Sequence, residues 1–275
     1  LVIGTGGYVT GTVLKTAIKC GIKTALHESN SLPGVSVKML APKADLVMLG
    51  TEDAKKHLGE CKKCVVTGNP LRNNIPIEEK SAARKRLGLP DCLTILSAGG
   101  SQGASRLNEA VVQLLAYEQK KGNINHIHGY GKHGRDTFMQ SLKDNGVDAG
   151  NPHFIIKEYI DNMYTCMCAS DLIITRAGAM TLTEITAIGR ASVLIPYPYA
   201  AENHQYYNAL TLQNANAGRI IDDKELTGSV LIDTVNRLAD DPELLRLMSE
   251  NAAKLSKRDA AGKILREITE LMRIK

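Results

Sequence analysis

The segment LSAGGSQGASRLN, residues 96–108, runs from an apolar stretch through three glycines into a helical pattern. Glycine is costly in a regular element, so Gly99, Gly100 and Gly103 imply a sharp bend or a close approach to the backbone. A helix N-terminus presents unpaired N–H groups and a partial positive charge. Together these suit an anion such as a phosphate, held around Ser101; a tight strand-to-helix turn is the competing reading. A second glycine-bearing turn stands in TRAGAMTLTE, residues 175–184. Its Glu184 fits two roles. TLTE matches a capping box opened by Thr181, and a carboxylate there also suits a ribose diol. In NHQYYNAL, residues 203–210, His204 and Gln205 either hydrogen-bond a sugar or form a solvated helix start. In KEYIDNM, residues 157–163, backbone groups around Ile160 are placed to hold the edge of a base. GTGGYVTG (4–11) is another strand–glycine–helix junction, and HESN (27–30) ends a strand shortly before Pro33-Gly34.

These loops need a scaffold, and the hydrophobic pattern supplies one. Short apolar runs alternate with helical periodicity throughout, which predicts a parallel α/β architecture. The first block holds strands near 1–3, 22–27, 45–49 and 64–67. The second holds six, near 93–97, 124–128, 154–156, 172–175, 193–195 and 219–221, with helices such as 104–117 and 203–216 between them. From about residue 226 the pattern is helical to the end. In the usual doubly wound order the first and fourth strands of the second block lie side by side, and ligands bind where the strand order reverses. That places AGGSQGA and TRAGAMTLTE at one crevice. The expected divisions are 1–72, an acceptor-side remainder; 73–91, a linker and connecting helix; 92–240, a nucleotide-sugar-binding unit; and 241–275, helices packing back on the first unit. Residue 1 is leucine, and LVIG reads as the middle of a strand, so the first sheet is expected to lack leading strands and to present an open edge.

With 275 residues, 43% hydrophobic and 23% charged, the chain has the composition of a globular protein of one or two domains. A net charge of +5, no Trp and only two Phe argue against nucleic acid. No apolar run approaches the ~18 residues of a membrane span. Cys20, Cys61, Cys64, Cys92, Cys166 and Cys168 are scattered, which fits a reducing cytoplasm better than a disulfide framework. CKKC (61–64) has no second pair at zinc-finger distance.

The ordered set GTGGYVTG, HESN, TGNPLR, GGSQGA, RAGAMTLTE and HQYYNA resembles the MurG family over essentially the whole chain. That family comprises the bacterial transferases that move N-acetylglucosamine from UDP-N-acetylglucosamine to lipid I, giving lipid II for peptidoglycan. The resemblance implies an α/β GT-B fold, two Rossmann-like domains facing a cleft, with the N-terminal one incomplete in this chain. It implies an inverting UDP-GlcNAc-dependent hexosyltransferase lying peripherally on the cytoplasmic face of the cell membrane. UDP-N-acetylglucosamine and lipid I are then its partners, with no nucleic acid, no transmembrane segment, no cofactor and no metal. By the same resemblance Ser101 contacts the donor phosphates, and Ala179, Met180, Thr181, Leu182, Thr183 and Glu184 form the donor turn, with Glu184 on the ribose. Ile160 meets the uracil, and Gln205 reaches the N-acetylglucosamine hydroxyls. Asn30 and Arg72 complete the donor site, and the turn containing Gly6, Gly7 and Tyr8 takes the acceptor diphosphate.

Three positions depart from the family pattern: Ser29 where glutamine is usual, HGYGK from His128, and Thr12 where proline is common. None removes a donor residue named above. No D-x-D pair is present to hold a metal on the diphosphate, so helix N-termini and backbone N–H groups are expected to stabilise the leaving group. No general base is assigned; His27 stands at a sheet edge with a structural role equally open. The family's first glycine-rich loop, with its histidine, lies upstream of Leu1, so donor recognition is expected without lipid II formation. Another GT-B UDP-sugar transferase, an epimerase, or a non-catalytic nucleotide-sugar-binding fragment are the alternatives.

Overall fold

The computed structural model describes residues 1–72, 75 and 77–273; of the expected linker, Asn73, Asn74 and Pro76 lie outside the described residues. The first sheet comprises β1 (Val2–Gly4), β2 (Thr24–Glu28), β3 (Leu46–Leu49) and β4 (Cys64–Val66), all parallel, in the order β1-β2-β3-β4. β2 and β3 are buried at every residue, as in parallel strands covered on both faces. Between the strands run α1 (Gly7–Lys19) and α2 (Val35–Leu40). Leu14, Val37 and Leu40 from these helices pack on Leu26, Val47 and Leu49.

The second sheet comprises β5 (Leu93–Ala98), β6 (Ile124–Gly129), β7 (Phe154–Lys157), β8 (Leu172–Thr175), β9 (Ala191–Leu194) and β10 (Gly218–Ile220). Its order is β10-β9-β8-β5-β6-β7. The first and fourth strands of this block are therefore neighbours, as expected, and the register pairs Ala98 with Thr175. The helices are α3 (Lys80–Leu87), α4 (Ser105–Lys121), α5 (Phe138–Asp144), α6 (Met163–Ala169), α7 (Ala179–Ile188), α8 (His204–Asn214), α9 (Gly228–Ala239), α10 (Pro242–Lys254) and α11 (Ala260–Met272). Side chains alternate across the sheet: Ile95, Leu172, Ile174 and Val193 face one apolar cluster, and Leu96, Ile173 and Leu194 the other. This two-residue alternation is what makes the strands fit one sheet sandwiched by helices.

Beneath the GGSQG loop the core is polar. His126 is bonded to Glu118 at 2.7 Å through Nδ1 and to Ser97 Oγ at 2.6 Å through Nε2, and Ser97 Oγ meets His128 Nδ1 at 2.7 Å. The chain then returns to the first unit. α10 covers α7 and β9, whereas α11 sets Ile264, Ile268 and Leu271 against Ala25, Leu46 and Met48. Those three residues fall at i, i+4 and i+7, one face of a helix. Lys263 Nζ donates to Val66 O at 2.6 Å beside them. The passage near residue 68 and the return near 257 touch. A Cβ built on Gly68 (φ +87°) would stand 2.4 Å from Lys257 Cβ.

Candidate active site

β5 and β8 end side by side, so the loops that leave them share one crevice. In the first loop Gly100 and Gly103 have φ of +89° and +84°. Gly103 must lack a side chain: a Cβ there would lie 2.2 Å from Tyr130 O. Lys132 and His133 donate backbone N–H groups to Ser101 O and Gln102 O, fixing the turn. Ser101 is exposed at the tip, and α4 starts at Ser105, so the hydroxyl precedes the helix by a short extended step.

α7 begins at Ala179 with Gly178 as an extended cap that has no side chain to bond the first turn. The N–H groups of Ala179, Met180 and Thr181 precede the first intrahelical bond, which Leu182 N makes to Gly178 O at 3.0 Å. This corrects the capping-box reading: Thr181 lies inside the helix and Glu184 is a full turn in. Glu184 instead accepts from Tyr164 OH at 2.9 Å. Burial pushes its carboxyl above the usual range, against the Tyr164 bond and the Arg72 charge, which pull it down. Arg72, Tyr164 and Glu184 therefore form one group. Leu182 is buried in the core, and Thr183 Oγ1 donates to Ala179 O and accepts from Asn69 Nδ2 of the first unit.

Gln205 Oε1 accepts from Ala177 N at 3.1 Å and Tyr197 N at 2.9 Å, which orients its NH2 end away from those amides. Ile160 is buried against Gly129, so its side chain is core and only its backbone suits a base edge.

The first unit contributes the loop after β2. Glu28, 5% exposed, accepts from Asn30 N, Asn30 Nδ2 and Gly34 N at 2.9, 3.0 and 2.9 Å. Asn30 Oδ1 then receives Asn208 Nδ2 from α8. Glu28 and Asn208 were missed by motif reasoning; the signal available was a carboxylate at a strand end and an asparagine on the inner face of α8. His27 is buried, with Nε2 3.1 Å from Gly68 O, and burial lowers its basicity. Its burial and this contact favour the structural reading of His27. At the other end of the loop region, Gly6 (φ +98°) caps α1, Gly7 has φ +79°, and a Cβ on either would meet no atom within 4 Å. These glycines and Tyr8, 96% exposed, line a groove of about 1070 Å³ that reaches Asn30 and His204. Among the described residues no cluster of three His, Cys, Asp or Glu side chains is arranged for a metal ion. Cys61 and Cys64 lie within hydrogen-bond reach of each other, and burial raises both thiols.

Comparison with known proteins places this geometry. Residues 94–264 match the glycosyltransferase family 28 C-terminal domain and residues 1–49 its N-terminal domain. A UDP-N-acetylglucosamine–N-acetylmuramyl-(pentapeptide) pyrophosphoryl-undecaprenol N-acetylglucosamine transferase of Desulforamulus reducens is 38% identical over 99% of the chain and 74% of its own length. Its counterpart from Desulfitobacterium hafniense is 41% identical over 97% and 72%. The chain belongs to the MurG family. The MurG crystal structure from Acinetobacter baumannii superposes with a TM-score of 0.79 at 28% identity, covering 98% of this chain and 72% of that one. The fold is thus GT-B, with two Rossmann-like units. A UDP-GlcNAc 2-epimerase from Neisseria meningitidis, TM-score 0.67 at 14% identity over 98% of this chain and 76% of that one, shares the fold alone. Every family motif falls at the carboxyl end of a strand, in the loop after it or on the helix that follows; TGNPLR, directly after β4, also leads out of the first unit.

Proposed function

We propose that this chain is an inverting glycosyltransferase that moves N-acetylglucosamine from UDP-N-acetylglucosamine to lipid I, forming lipid II. The observation that carries this reading is the groove. One side is built from the glycine turn and α1 of the first unit, the other from Glu202 and His204 of the second, and it runs to Asn30. An acceptor lying in it meets a sugar held at the crevice. The donor is taken by the second unit. Ser101 and the free N–H groups at the start of α7 receive the diphosphate and stabilise it as it leaves. Ala179, Met180 and Thr181 provide those groups, with Leu182 and Thr183 anchoring the turn behind them. Glu184 accepts from the ribose, Arg72 balances its charge, the backbone at Ile160 holds the uracil edge, and Gln205 and Asn30 orient the sugar. Gly6, Gly7 and Tyr8 cradle the acceptor diphosphate. Attack by the acceptor hydroxyl from the groove side displaces UDP with inversion.

The lipid acceptor requires a membrane surface, and we place the chain peripherally on the cytoplasmic face. Val9 and Val13 on α1 and Val35 and Met39 on α2 are exposed on packed helices, with Lys15 and Lys19 nearby. Among the described residues no helix is long and apolar enough to cross a membrane. The epimerase alternative rests on fold likeness only, whereas the transferases named above are 38% and 41% identical. The test is incubation with radiolabelled UDP-N-acetylglucosamine and a lipid I analogue, beside a UDP titration. UDP binding is expected; label in the lipid product carries the transferase reading of this chain and overturns the expectation of donor binding without lipid II formation. Epimerised sugar nucleotide without acceptor, or no UDP binding by folded protein, would overturn the reading.

A further inference from the structure

Three segments converge on one amide. Asn208 on α8 is 3% exposed. Its Oδ1 accepts from Ser31 N at 2.8 Å, and its Nδ2 donates to Asn30 Oδ1 at 3.1 Å and to Ala177 O at 3.2 Å. Ser31 and Asn30 belong to the first unit; Ala177 belongs to the donor turn after β8. A single side chain therefore joins the two walls of the crevice. The match is chemical as well as geometric, because the acceptor end faces an N–H and the donor end faces two oxygens. Asn30 cannot reverse its own amide to suit a changed partner, since its Nδ2 is already committed to Glu28 Oε1 at 3.0 Å. One turn further along α8, Thr211 Oγ1 extends the junction to Asp53 Oδ2 at 2.8 Å.

We infer that Asn208 is a positioning residue for the donor sugar: it fixes Asn30 at the sugar end of the site and holds the first unit against the donor turn. This rests on the reading of the crevice as a UDP-sugar site. Asn208 acts through Asn30 and, in that reading, touches neither the nucleoside nor the diphosphate, which are held by the second unit with Arg72 beside Glu184. The consequence is a split between two ligands. Loss of Asn208 weakens the grip on the sugar and leaves the grip on UDP intact.

Asn208→Asp is the sharpest probe. It has nearly the same shape, but the new carboxylate oxygen faces Asn30 Oδ1 and Ala177 O, replacing two attractions with two repulsions. Calorimetric titration of the 275-residue chain with UDP and with UDP-N-acetylglucosamine is the measurement, beside thermal unfolding and hydrogen exchange at Ser31. The expected result for N208D is UDP affinity within about twofold of wild type and UDP-N-acetylglucosamine affinity about tenfold weaker, the size of one lost buried hydrogen-bond network. Asn208→Ala shows the same split with faster exchange of the Ser31 amide, and it decides the matter if N208D does not fold. Equal losses for both ligands in folded variants, or no loss for either, overturn the inference while the functional reading stands. A wild-type chain that does not bind UDP overturns both.

Discussion

At the scale of single residues, Glu184 carries the sharpest expectation. Its carboxyl is raised by burial, and in the proposed role it must be deprotonated to accept from both hydroxyls of a ribose. The direction follows from these two premises. Above the raised value the group is ready, and UDP affinity does not depend on it. As pH falls through that value a proton competes with the ribose, and affinity drops by up to about tenfold per pH unit. The fall therefore begins at higher pH than an ordinary glutamate would give. Glu184→Gln is expected to weaken UDP binding about tenfold at neutral pH and to flatten this acid limb, as read by titration across a pH series. A limb that persists in the variant belongs to another group. The sequence singled out Glu184 but left its partner open. Tyr164 lies 20 positions away, and only the packing of α6 against α7 brings the two together. The role of Asn208 was hidden for the same reason, since its partners Ser31, Asn30 and Ala177 lie far away along the chain, whereas Glu28 holds the turn that follows it.

At the scale of elements, the GGSQG turn separates steric from ligand effects cleanly. A methyl on Gly100 would meet no protein atom within 4 Å, so Gly100→Ala pays only for its positive φ, about 1 kcal/mol. If the turn cradles a diphosphate, that methyl intrudes on the ligand. UDP is expected to lose about tenfold or more in affinity and UMP much less, as seen by paired titrations of the folded variant. Equal losses argue for a merely structural turn. α11 makes a different point. Ile264, Ile268 and Leu271 cover the face of the first sheet opposite α1 and α2. Ile268→Asp is expected to destabilise that unit by about 2–4 kcal/mol, visible as an earlier unfolding step and faster proteolysis of the C-terminus. All ten strands were legible from apolar runs, with ends shifted by one or two residues, because a buried parallel strand carries a strong local signal. The start of α7 was not. TLTE imitates a cap, and the true boundary was set three residues earlier by Gly178, whose role depends on where β8 ends.

At the scale of the whole molecule, charge and exposed apolar surface act together. The chain carries a net +5, and Val9, Val13, Val35 and Met39 stand out on adjoining helices of the first unit. Binding to vesicles of phosphatidylcholine with phosphatidylglycerol is expected and should weaken with salt. Val9→Glu with Val35→Glu is expected to lower that binding about tenfold or more in a sedimentation assay, with UDP affinity untouched. Equal binding by the double variant would remove the patch from the membrane account. The two-unit division was readable from strand counts, but the return of α11 to the first sheet fixes something that counts do not express. The chain passes between units twice, and both passages touch where Gly68 meets Lys257 and Ala260. Two crossings packed together tie the units at one post, and a swing about it, rather than a slide, is the relative motion expected of them. Any swing about that post has to open the bonds that Asn208 makes to Ser31 and Asn30 across the crevice.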